Sequence, residues 1–178
     1  MPPPNENSQP VPNPAISIRA AHLNDLPAIL ALEQTAQSAA HWTADHYQSR
    51  LQSQPQSACF LVAERQSAES NSQLCGFLCA RIIGTVPAGT ASVAEWEIEN
   101  VVVLQECRRR GIGAALMRAL IEEWQEHAGA AVLLEVRESN HAARALYERH
   151  GLRETGRRRA YYRDPSEDAI LYARYRQP

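Results

Sequence analysis

Val101-Val102-Val103-Leu104-Gln105-Glu106-Cys107-Arg108-Arg109-Arg110-Gly111-Ile112-Gly113-Ala114 carries an apolar run into a glycine-bearing turn. The three valines have the composition of a strand end. From Ile112 apolar residues return at every fourth position, at Leu116, Leu120 and Trp124 with Ala115 and Ala119 beside them, and this spacing predicts an amphipathic helix. A glycine turn between strand and helix is suited to an anion, because the first N–H groups of a helix lack intrahelical partners and carry the positive end of its dipole. The expected ligand is a phosphorylated cofactor. Its pyrophosphate would rest on main-chain N–H groups of Arg108, Arg109, Arg110, Gly111, Ile112, Gly113 and Ala114, with the arginine side chains either adding charge beside the phosphates or forming a solvated basic turn. Gly113, having no Cβ, is expected to let the ligand approach the backbone closely.

The missing features narrow the cofactor. A dinucleotide fold would place a third glycine near Leu116 and an acidic residue about 20 positions on, and a P-loop would read Gly-Lys-Ser/Thr; the sequence has neither. Arg108-x-x-Gly111-x-Gly113 after a strand resembles the acetyl-coenzyme A loop of the GNAT superfamily of N-acetyltransferases. Downstream, Leu133-Leu134-Glu135-Val136-Arg137-Glu138-Ser139-Asn140, Ala145-Leu146-Tyr147-Glu148, Gly151-Leu152, Arg159-Ala160-Tyr161-Tyr162 and Glu167-Asp168-Ala169 extend the likeness. They resemble the RimI-type branch, enzymes that acetylate the N-terminal alanine of a small-subunit ribosomal protein. The resemblance runs from about Glu95 to Leu171. Before that, only Ala40-His41-Trp42-Thr43 echoes the family's Pro-Trp-Ser turn.

The rest of the chain is ordered as this family requires. Ile16 to Arg19 alternates like a strand. Asn24-Asp25-Leu26-Pro27 supplies a cap and first-turn proline to a helix expected to reach about Gln37, and Thr43 can cap a second helix ending before Pro55. Cys59 to Ala63, Leu74 to Val86 and Val93 to Val103 read as strands, the first two separated by the polar loop Gln66 to Gln73. Gly129 is placed to stop the glycine-turn helix. Ala131 to Arg137 reads as a strand, Ser139 or Asn140 caps a short helix before Gly151, and two last strands flank Arg163-Asp164-Pro165-Ser166. This order gives an α/β fold: a mixed, twisted central sheet flanked by helices.

Acetyl transfer from a thioester to an amine needs a bound acyl carrier, a neutral amine, a donor for the tetrahedral oxyanion and a proton for the departing thiolate. The resemblance lays the pantetheine arm along Val101, Val102 and Val103, whose side chains are equally suited to a core strand. Glu135 sits among apolar neighbours, where a carboxylate needs an ion-pair partner or a task. An ion-paired structural residue and a base are both consistent with that, and the family pattern makes it the proton acceptor. The pattern likewise makes Tyr147 the proton donor and Asn140 a coenzyme contact, although Asn140 would serve equally as a helix cap. Glu95, Glu97 and Glu99 have strand spacing and project from one face, so a cationic partner is expected, with solvated strand surface as the alternative. Glu97 and Glu99 are thus candidates for substrate contact. By family analogy Trp42, Tyr161 and Tyr162 would wall the peptide entrance. His141, His150 and the arginine-rich ending Arg174-Tyr175-Arg176 depart from the usual family residues.

The 178 residues suit one domain with a full-sized core. Residues 1–14, Met-Pro-Pro-Pro-Asn-Glu-Asn-Ser-Gln-Pro-Val-Pro-Asn-Pro, are too rich in proline and polar groups to pack, so the folded unit is expected at 15–178. No apolar run reaches the 18 or more residues of a membrane span, and no signal peptide is visible, which points to the cytoplasm. A net charge of −2 argues against general nucleic-acid binding. The four cysteines lack zinc spacing and are expected as reduced, buried thiols, and the six histidines form no metal pattern. The resulting expectation is a monomer using acetyl-CoA as cosubstrate, attacked directly by an amine. Cys107, with no histidine paired to it in sequence, is a poor nucleophile. A small-molecule amine as acceptor, or an acyl-CoA-binding module without turnover, are the rival readings.

Overall fold

A computed structural model describes residues 16–36, 42–65, 72–88 and 91–177. The expected tail at 1–14, Gln37, Ala40, His41 and loop residues 66–71 lie outside them. The chain runs β1 (Ile16–Ala20), a 3-10 turn at Leu23–Asp25, α1 (Leu26–Gln34), α2 (Ala44–Gln52), β2 (Ala58–Arg65), β3 (Gln73–Ala88) and β4 (Ala91–Val103). After a 3-10 turn at Gln105–Cys107 come α3 (Ile112–Glu126), β5 (Ala131–Arg137), α4 (His141–Arg149), β6 (Arg153–Arg163) and β7 (Ser166–Tyr175). The expected order of elements holds.

All seven strands form one sheet in the order β1-β2-β3-β4-β5-β7-β6. Every pairing is antiparallel except β4 with β5. Inner strands read as continuous apolar runs because both of their faces are buried. Along β2, Cys59, Leu61 and Ala63 face α3 with Leu116, Leu120 and Trp124, while Phe60 and Val62 face α1 and α2 with Ile29, Leu32, Tyr47 and Leu51. The sheet is thus sandwiched. The pattern of spacing four at the start of α3 became its buried stripe.

Helix ends follow the side chains. The Thr43 hydroxyl accepts from the His46 N–H at 3.3 Å and the Asn140 side chain accepts from the Ala143 N–H at 3.2 Å, each satisfying a first-turn donor. At the end of α3 it is Ala128 that takes a left-handed φ of 52°, and Gly129 lies beyond it under the Trp124 indole. Gly129 therefore leaves room for a ring and does not supply the turn.

Two irregularities prepare the site. The parallel register of β4 and β5 runs only from Glu95 opposite Ala131 to Ile98 opposite Leu134. Both strands continue, to Val103 and Arg137, without pairing again, so an opening forms between their carboxyl ends. Just there Cys79 pairs with Asn100 and Ala80 with Ile98, leaving Glu99 as the extra residue of a β-bulge. The bulge turns both Glu99 and Asn100 toward α1 and α2, where Glu99 meets Arg50 and Asn100 meets Tyr47.

Candidate active site

The glycine turn stands at the mouth of the opening between β4 and β5. Arg109 has φ 62° and Gly111 has φ 80°, and such alternation curls successive N–H groups into a concave, anion-seeking run ahead of the fifteen-residue α3. A Cβ on Gly111 would meet no atom within 4 Å, so glycine is favoured there by backbone conformation alone. Gly113 also has a neighbouring side chain to accommodate. A Cβ there would come 3.2 Å from Leu146 Cδ2 of α4, so its bareness serves the packing of α3 on α4. The Arg108 Nε donates to the Val103 carbonyl at 3.0 Å, folding the side chain back onto β4. Arg109 and Arg110 are exposed, Ile112 is buried and Ala114 half-buried. Val101 and Val103 lean on the α3 core, and Val102 is buried on the opposite face.

On the α1–α2 face, Glu135 lies half-buried in mid-β5 with Arg158 Nη2 3.1 Å from its carboxylate. Arg158 comes from β6, where three residues, Arg159 to Tyr161, stand opposite Asp168 alone. That bulge is pinned by the Ala160 N–H donating to Asp168 Oδ1 at 2.8 Å, with Ala160 at φ 48°. It brings Tyr161 and Tyr162 toward Glu135. The charge of Glu135, and then a hydrogen bond to it, raise the pKa of the exposed Tyr161 phenol. Arg137 lies over the Tyr162 ring at 4.1 Å from its centroid and is also 3.3 Å from Glu167, whose other oxygen accepts the Ser139 N–H.

Tyr147 approaches from the other face. Its side chain on α4 is buried in the α3 core with the Tyr172 ring 6.3 Å away. Burial, and secondarily the charge of Tyr162, push its phenol above the ordinary value, so it holds its proton at neutral pH. His150 at the end of α4 fixes this helix to the first turn of α3: Nδ1 is 2.8 Å from the Leu146 carbonyl and Nε2 is 3.2 Å from that of Ala114.

The expectation that the β4 carboxylates await an outside cation is corrected for two of them. Arg81 Nε donates to Glu97 at 2.7 Å, and Arg50 grips Glu99 with two bonds of 2.7 Å. His46 Nε2 is 3.3 Å from the same Glu99 oxygen. Burial opposes the charge on Glu99, but these partners, Arg50 foremost, outweigh it and hold the carboxyl below its usual range. The exposed Trp42 stacks on His46 at 4.1 Å and 11°, while its main-chain N–H donates to the buried Glu33 at 2.8 Å. Glu33 also accepts from the Tyr47 hydroxyl at 2.6 Å, and Asn100 reaches that hydroxyl at 2.8 Å. Sequence reasoning passed over Arg50, His46, Arg81 and Arg158. Their sequence separation from the carboxylates leaves no local signal. All four thiols are free and buried, as expected, with Cys75 and Cys107 in contact at 2.9 Å.

The profile of the "Acetyltransferase (GNAT) family" matches residues 26–152. The [ribosomal protein bS18]-alanine N-acetyltransferase of Escherichia coli strain K12 is 32% identical over 159 residues, 88% of this chain and 95% of that protein. The crystal structure of the ribosomal-protein-S18-alanine N-acetyltransferase from Escherichia coli superposes with a TM-score of 0.72 at 30% identity, covering 89% of this chain and 92% of that one. Arabidopsis thaliana NAA60, in its complex with acetyl-CoA, shares the fold with a TM-score of 0.78 at 19% identity, covering 90% and 98%. The parted parallel pair of this mixed sheet is thus set in a chain that belongs to the GNAT family of acetyltransferases, in its RimI-type branch.

Proposed function

We propose that this protein transfers the acetyl group of acetyl-CoA to the α-amine of an N-terminal alanine on a small-subunit ribosomal protein. The observation that carries the reading is the opening between β4 and β5, with Glu135 just past the last paired residue on one face of the sheet and Tyr147 buried in the core on the other. The Escherichia coli relative acts on the alanine of ribosomal protein bS18, and it is matched over nearly its whole length.

Acetyl-CoA supplies an acetyl thioester. The N–H groups of Arg109 to Gly113 and the dipole of α3 favour its pyrophosphate, and the edge of β4 past Ile98, freed from β5, offers backbone groups along Val101 to Val103. Asn140, although used as a cap, stands at the same end of the opening. The acceptor amine enters on the α1–α2 face, between Trp42 and the Tyr161–Tyr162 hairpin, and Glu135 takes its proton. Arg158 must then leave Glu135. Its side chain is 54% exposed, and ion pairs of that kind contribute about 0–1 kcal/mol, so an incoming ammonium group displaces it at little cost. Tyr147 holds a proton for the departing thiolate. Glu97 and Glu99, already paired, shape the entrance through Arg81, Arg50 and His46.

An α-amine is favoured over lysine because its pKa near 8 leaves it partly neutral at pH 7, whereas a lysine amine near 10.4 is protonated. The protein works in the cytoplasm as a monomer, and residues 1–14 lie outside its folded unit at 15–178; among the described residues no helix is long and apolar enough to cross a membrane. The test is mass spectrometry of an alanine-initiated peptide bearing internal lysine, incubated with acetyl-CoA. Acetylation of the N-terminus alone is expected. Equal modification of lysine, or faster acetylation of free polyamines, would refute the reading.

A further inference from the structure

An open groove of about 1250 Å³ runs between the outer side of α3, the end of α4 and the strand ends of β6 and β7. Arg118, Arg149, Arg153, Arg174 and Arg176 line it, against one carboxylate, Glu122. Among the described residues none of these five guanidinium groups has an ion-pair partner, whereas Arg19, Arg50, Arg81, Arg137, Arg144, Arg157 and Arg158 all do. Four of the five spend a hydrogen bond on a main-chain carbonyl: Arg149 on Ala145, Arg153 on Glu148, Arg174 on His150 and Arg176 on Gln125. Arg174 is half-buried over the Trp124 ring and forms the floor. Tyr175, 63% exposed, projects at the edge.

In a chain of net charge −2, such a gathering of positive charge is local. Moreover the chain contains no lysine, so every cation it has is a guanidinium. A guanidinium is a planar fork that meets phosphate oxygens two at a time and stacks on flat rings. A track of unpaired forks beside an exposed aromatic is the arrangement that holds a single polynucleotide strand: phosphates on the cations, a base on the ring. We infer that this groove is a docking surface for single-stranded RNA, separate from the acetyl-transfer opening. The total charge argues against general nucleic-acid binding, but a strand would meet this local cluster and not the sum. An acidic polypeptide could pair with the arginines but gives Tyr175 no task.

The test is fluorescence anisotropy with a fluorescein-labelled 12-nucleotide oligouridylate, alongside acetylation of a free alanine-initiated peptide. Binding should weaken with salt by a logarithmic slope of about −0.7 per neutralised phosphate, so four contacts give about 50-fold between 50 and 200 mM. The double variant Arg118→Glu/Arg153→Glu should bind at least tenfold more weakly, and Tyr175→Ala about fivefold or more. Both should keep the wild-type melting temperature, acetyl-CoA affinity and peptide turnover; Arg118→Gln/Arg153→Gln, a milder pair, should show the same loss in smaller degree. No RNA binding at 50 mM salt, or binding indifferent to these variants, would overturn the inference. So would displacement of the RNA by saturating coenzyme A, which would give the groove to the cosubstrate's nucleotide, or tighter binding of a 12-residue polyglutamate. Peptide turnover is read separately, so failure of the acetyl-transfer reading is distinguishable.

Discussion

Replacing Arg50 by methionine isolates the strongest ion pair at the entrance. The Glu99 side chain is only 6% exposed and that of Arg50 21%, and the two are joined by two bonds of 2.7 Å. Removing one partner of a buried pair costs about 3–5 kcal/mol, because the remaining charge is stranded away from water. His46 at 3.3 Å and Arg81 at 3.6 Å stay beside Glu99, which puts the expected loss near the lower figure, about 3 kcal/mol at pH 7. The pH dependence fixes the cause. In the wild type the folded pKa of Glu99 is depressed, so its contribution is complete above the unfolded value of 4.5 and fades as the pH falls through the folded one. In Arg50→Met the burial that opposes its charge loses its main counterweight, the folded pKa rises, and protonation relieves the penalty as pH falls. The stability gap should therefore narrow toward acid, and a further Glu99→Gln should recover much of it at pH 7. Urea unfolding at pH 7 and pH 4.5 measures both. A gap below about 1 kcal/mol at pH 7, or one that does not change with pH, would refute the reasoning.

Other positions separate backbone conformation from packing. Gly111→Val forces a β-branched residue into φ 80°, which should cost about 1–2 kcal/mol and weaken acetyl-CoA binding by calorimetry. Gly113→Val meets Leu146 and should cost about 1–3 kcal/mol, much of it restored by a second change, Leu146→Ala; no restoration would discard the packing account. Removing residues 1–14, whose composition offers little apolar surface, should shift neither the melting temperature nor turnover.

The half of the chain after Val101 was legible because its signals are local. Three valines, a glycine turn, a stripe of spacing four and the Asn140 cap each act within a few residues, and α3, β5 and α4 formed where those signals pointed. The partners of the carboxylates were not legible. Glu99 is held by Arg50 from α2, and Glu135 by Arg158 across β7 from β6, contacts that only the strand order creates. Nor does alternation reveal that an extra residue at Glu99 shifts the face of Asn100. The packing demand on Gly113 was hidden for a related reason: a glycine beside an expected phosphate looks like a ligand contact alone, and the neighbour that also needs the space, Leu146, lies 33 residues on, in another helix. Net charge, being a sum, hid the arginine groove, of which only the ending Arg174-Tyr175-Arg176 stands out in the sequence.

The central claim is that Glu135 and Tyr147 handle different protons from opposite faces of one opening, and paired pH–rate profiles test it most directly. Glu135→Gln keeps the shape but accepts no proton, so turnover should fall about 10²-fold near neutral pH and recover in part as alkali supplies neutral amine. Tyr147→Phe removes an acid whose burial keeps it protonated, and alkali cannot replace it, so that defect should persist or grow as pH rises. The two profiles are expected to diverge with increasing pH. Parallel profiles, or wild-type turnover in either variant, would contradict the assignment.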